Sequence, residues 1–106
     1  MKIEVLHFGK DAGLEQNGGY LEIKDANSNQ HLFFIKIYDI KYNPKKEDDV
    51  QDMFIIEMGV RDGVVRIKEE HGRVYAINLT ERSAEMVYSP YESEKKIIKQ
   101  NRKSQV

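Results

Sequence analysis

Residues 53–88 constrain the fold more than any other part of the chain. Phe54, Ile56, Met58 and Val60 alternate with Ile55, Glu57, Gly59 and Arg61. Successive side chains of a strand point to opposite faces, so this period of two predicts a half-buried strand. Asp62-Gly63 follows, a pair that tolerates the positive φ of a two-residue type I′ hairpin turn. The chain then returns with Val65, Ile67 and Glu69 on one face and Val64, Arg66 and Lys68 on the other. His71-Gly72 signals another tight turn, after which Val74, Ala76 and Asn78 alternate with Tyr75, Ile77 and Leu79. Beyond the polar Thr80-Glu81-Arg82-Ser83 turn, Ala84, Met86 and Tyr88 form one more short strand. The segment reads as a four-strand antiparallel meander.

The first half is patterned less strictly. Residues 2–8 and 20–25 read as strands, separated by a polar loop that contains Asn17-Gly18-Gly19. Asp25-Ala26-Asn27-Ser28-Asn29-Gln30 is a turn rich in side chains that bond their own backbone. Residues 31–40 are apolar on both faces for most of their length, which predicts a central strand covered on both sides. Pro44 helps end it, and 41–52 form a long polar connection. At the other end, Ser89-Pro90-Tyr91-Glu92 combines a Ser cap, Pro at the first helical position and Glu at the third. Tyr91, Glu94, Ile97 and Ile98 share a face of that helix by spacing.

The fold class is therefore mainly β, bordering on α+β: about seven antiparallel strands in a barrel or sandwich, then one C-terminal helix. Residues 1–88 would build the β part, and 89–106 the helix and tail of the same domain. This order of elements is similar to that of pleckstrin-homology-like domains, a likeness of element count that no residue motif carries.

Composition narrows function by exclusion. Lys and Arg number 17 against 18 Asp and Glu, for a net charge of −1. That is not the basic excess of a DNA-coating protein, nor the acidity of a chain that mimics DNA by charge alone. Without cysteine there is no disulfide framework, thiolate metal site or thiol nucleophile. The N-terminal residues alternate charge with apolar side chains instead of forming a signal peptide, and no apolar run approaches membrane-spanning length. A cytoplasmic location follows as the expectation. Lys outnumbers Arg 12 to 5, a bias that suggests a bacterial or phage source.

Several residues invite chemistry. His7, His31 and His71 could serve as general bases or metal ligands, for instance His7 with His31 and an Asp. Glu47, Asp48, Asp49 and Asp52 could hold a hard cation, though the EF-hand spacing is missing, and they also suit docking of a basic partner. Lys95, Lys96, Lys99, Arg102 and Lys103 give residues 89–106 a net +3, which suits phosphate contacts and equally suits the negative end of the helix dipole. Leu32, Phe34 and Tyr38 would form an apolar partner surface if the helix leaves them uncovered. There is no phosphate loop, dinucleotide fingerprint or nucleophile elbow, so catalytic, cofactor-binding and metal sites are left unassigned and no cofactor is implied.

The expectation is a small non-enzymatic protein-binding domain, such as an accessory, inhibitor or immunity-type protein. Charge segregation supports it, with −3 over residues 1–53 and +2 over 54–106. Nucleic-acid binding through the basic helix is the alternative. A small-ligand carrier or enzyme using a barrel interior with His7 or His31 comes third. No membrane partner is expected, and strand edges offer a route to a homodimer.

Overall fold

The computed structural model describes residues 1–46 and 51–104. It contains β1 (Lys2–Leu6), a short 3-10 turn (Gly9–Ala12), β2 (Tyr20–Lys24), β3 (His31–Lys36), β4 (Ile55–Arg61), β5 (Val64–Glu69), β6 (Val74–Asn78), β7 (Ser83–Tyr88) and α1 (Glu92–Ser104). The strands form two antiparallel sheets in the orders β1-β2-β3 and β4-β5-β6-β7. No described strand pairs across the two sheets, so they are not closed into a barrel; the sandwich is the arrangement that fits. The sheets meet through Leu21, Ile23, Ile35, Ile37 and Tyr38 on one side and Ile55, Val65, Ile67 and Ile77 on the other. Each fully buried aliphatic side chain of this kind contributes about 1.5–3 kcal/mol. Side chains fill the space that a barrel lumen would have occupied.

The strand predicted over 31–40 is shorter and lies elsewhere. β3 ends at Lys36 and is an edge strand, whereas β2 is central and is the better buried. The register shifts between β2 and β3, with Ile23 opposite Phe33 and Lys24 opposite His31. Leu32 is therefore an extra residue, which interrupts the alternation and makes the run look apolar on both faces. Phe33 turns inward and has the Arg82 guanidinium 3.9 Å above its ring. On the outer face of the sheet Lys2, Glu4, Glu22, Lys24 and His31 form a ladder of ion pairs, closest at 2.9 Å for Lys24–Glu4 and His31–Glu22.

The turn after β2 is built as its composition implies. Asp25 Oδ1 accepts the N–H groups of Asn27 and Ser28 at 2.9 and 2.8 Å, and those bonds hold its carboxyl below the usual range. Residues 9–19 fold back over the buried ring of Tyr20. A Cβ on Gly9 would stand 2.3 Å from the Gln16 carbonyl oxygen and 2.8 Å from that ring, so only glycine permits the approach. Gln16 is buried and bonds three backbone groups. Its Nε2 donates to the carbonyls of Gly18 (2.8 Å) and Tyr38 (2.9 Å), and its Oε1 accepts the N–H of Ile40 (2.9 Å).

α1 begins two residues later than the Pro-first reading implies. Ser89 Oγ accepts the Tyr91 N–H at 3.1 Å and donates to Glu94, but the first helical bonds go to the Tyr91 carbonyl, so Tyr91 takes the cap position and Ser89 and Pro90 lie ahead of the helix. Ile98 is buried while Ile97 and Tyr91 are exposed. The predicted stripe thus narrows to Glu94 and Ile98, on a helix that contacts β7. No helix of the described residues is long and apolar enough to cross a membrane.

Candidate functional site

The four-stranded sheet has one strand more than the sheet packed on it, and the surplus falls on β4. β3 approaches β7, so the sheets are aligned on that side. The three-stranded sheet is narrower by about one strand spacing, roughly 4.8 Å, and the far edge of the larger sheet overhangs. Ile55, where β4 begins, is buried; from Ile56 to Arg61 every residue is exposed.

Cross-strand register identifies what is left uncovered. Met58 lies opposite Ile67 and Val60 opposite Val65, so all four side chains share the inner face of the sheet. Ile67 and Val65 are each 1% exposed, whereas Met58 is 38% and Val60 61% exposed. The register shift between Ile55 and Glu57 makes Ile56 a bulge residue, 55% exposed. This is the physical reason the simple alternation of Ile56 with Met58 and Val60 fails: the extra residue moves Ile55 onto the inner face with them. Glu57, Gly59 and Arg61 take the outer face. Asp62 and Gly63 both have positive φ, 54° and 76°, as the type I′ turn requires.

The other three edges are protected in different ways. β1 presents the charged Lys2 and Glu4, β3 and β7 approach each other, and β7 also contacts α1. β4 has no lysine and lines its free margin with Met58 and Val60, a feature that proteins ordinarily suppress on an edge strand.

At the opposite end of β5 the sheet is closed by a polar cluster instead. Glu69 is fully buried and accepts the Arg73 N–H at 2.8 Å and its Nη1 at 3.1 Å; Arg73 Nε donates to Glu94 at 2.8 Å. The Arg73 guanidinium also lies 4.7 Å from the Tyr91 ring centre. Arg73 foremost, then Ser89, holds the Glu94 carboxyl below the usual range. Tyr38 donates to the Met53 carbonyl at 2.7 Å and packs 5.5 Å from Tyr75; burial is the main cause that pushes both hydroxyls up. Every carboxylate and cation here already has a protein partner, so the cluster fastens the helix to the β5–β6 turn. Sequence reasoning did not single out this cluster, because Glu69, Arg73 and Glu94 are each ordinary in their local patterns.

The residues singled out in the sequence do not assemble into one site. Tyr38 belongs to the core, which corrects its assignment to an apolar surface with Leu32 and Phe34. Leu32 is exposed at its bulge, and Phe34 is half-buried on the outer face against His31, 4.3 Å between ring centres. Glu47, Asp48 and Asp49 lie outside the described residues. Asp52 is bonded by Tyr42 and by Asn17, the latter at 3.0 Å. His7 packs near Phe54, His31 pairs with Glu22 and His71 lies 3.8 Å from Glu69. Among the described residues no three His, Asp or Glu side chains gather as metal ligands would. Lys95 pairs with Glu92, Lys96 is exposed, and Lys99, Arg102 and Lys103 fall in the later part of α1. Compared with protein-family models, curated proteins and solved structures, the chain matches none.

Proposed function

We propose that the chain is a non-enzymatic protein-binding domain that engages its partner through the free margin of β4. The observation that supports this most directly is the contrast in register: Met58 and Val60 face inward beside Ile67 and Val65, yet are left uncovered. An unpaired edge offers main-chain donors and acceptors to an added strand, and alternate side chains offer apolar contacts to it. Affinity capture from the source lysate tests the reading when wild type and Val60→Lys are compared. A stoichiometric protein held by wild type and lost from Val60→Lys is the expected result. Removal of residues 95–106 should leave that capture intact, whereas nucleic-acid binding through the basic helix would be abolished by it. Equal capture by wild type and Val60→Lys would overturn the assignment to β4.

A further inference from the structure

Resting on that reading of the edge, we infer that the strand added to β4 is the β4 of a second copy, paired antiparallel about a twofold axis at Gly59. The hydrogen-bonding parity of the hairpin decides which backbone groups of β4 are free. Arg61 and Val64 flank the two-residue turn, and the pair next to such a turn is a hydrogen-bonded one. Bonded and non-bonded pairs alternate along an antiparallel ladder. Arg61, Gly59 and Glu57 therefore direct their N–H and C=O groups at β5, and Met58 and Val60 direct theirs outward. The same two residues thus carry the free backbone groups and the free apolar side chains.

A twofold axis at Gly59 uses both. Met58 of each copy then stands opposite Val60 of the other as a bonded pair, which gives four backbone hydrogen bonds. The glycines face each other as the close, non-bonded pair at the centre. On the inner face, Met58 and Val60 from the two copies form one apolar strip that continues the row of Ile67 and Val65. On the outer face, Glu57 of each copy lies opposite Arg61 of the other, twice. Opposite charges so placed stabilise a sheet, and like charges destabilise it.

Charge complementarity selects this register over its neighbours. A twofold axis at Met58 sets Glu57 against Gly59, one at Glu57 sets it against its own copy, and one at Val60 sets Arg61 against Gly59. Only the axis at Gly59 pairs the two charges. Glu57 and Arg61 form no ion pair with other described residues of their own chain, so both are available.

Sedimentation of the full chain from micromolar to millimolar concentration, with charge-swapped variants, tests this directly. Wild type should associate reversibly to a dimer. Glu57→Arg and Arg61→Glu, each of which places like charges opposite one another twice, should each weaken association by roughly tenfold. The double variant E57R/R61E should recover it, and an equimolar mixture of the two single variants should form the mixed dimer. These substitutions are at exposed positions, and unchanged thermal unfolding confirms that the chain still folds. A dimer indifferent to the swaps, or a wild type monomeric throughout, overturns the inference. If wild type is monomeric yet Val60→Lys still loses a captured protein, the edge reading stands and only its self-pairing fails.

Discussion

β4 and β5 are partners along one hairpin, yet they live in different environments. β5 buries every second residue, Val65, Ile67 and Glu69, while β4 buries only Ile55. Met58 and Val60 on β4 lie directly opposite Ile67 and Val65 on β5, apolar against apolar on the same face. What separates them is the width of the opposing sheet, which reaches β5 and stops short of β4. An apolar residue in a strand thus marks a face, and only the layer above decides whether that face becomes core or surface.

Substitutions should break this contrast in a graded way. The largest effect is expected at Arg73→Ala, which leaves the buried Glu69 carboxylate without its cation. Losing one member of a buried pair costs about 3–5 kcal/mol, readable by denaturant unfolding. Ile67→Ala should cost about 2–5 kcal/mol, whereas Met58→Ala, directly opposite it, should stay within about 0.5 kcal/mol of wild type. If the Met58 and Ile67 variants lose similar stability, the overhang does not exist in solution. Ser89→Ala removes the buried hydroxyl that ties the Tyr91 N–H to Glu94 ahead of the helix and should cost about 1 kcal/mol. Because Ser89 helps hold the Glu94 carboxyl low, the substitution should also weaken the acid response of Glu94 and move it toward higher pH. The lowered carboxyl of Glu94 contributes stability that is fully present above the ordinary glutamate value of about 4.3. That stability is lost as pH falls through the depressed folded value. Acid titration followed by helix circular dichroism should therefore detach α1 first, and Glu94→Gln should blunt that step.

Much of the architecture was legible in the sequence because turn chemistry and period-2 alternation are local. Asp62-Gly63 and the Asp25 turn sit where their side chains imply. The misreadings share a cause. Leu32 and Ile56 are bulge residues, and one inserted residue converts a two-faced pattern into an apparent buried run, or moves the inner face by one position. Tyr38 read as surface because its burial depends on Tyr75 and Met53, far along the chain. The margin of β4 was illegible for the same reason: Met58 and Val60 look like core until the number of strands in each sheet is known. The clamp between Glu69, Arg73 and Glu94 spans two elements, so no local pattern announces it.

Gln16 has one further consequence. Its side chain carries the same donor and acceptor as a peptide unit, and it meets three main-chain groups just where the β2–β3 ladder runs out. It acts as a prosthetic rung that no strand assignment counts. Slow amide-hydrogen exchange should accordingly persist at Ile40, four residues past the end of β3, and should vanish there in Gln16→Ala while the β2–β3 ladder amides keep their protection.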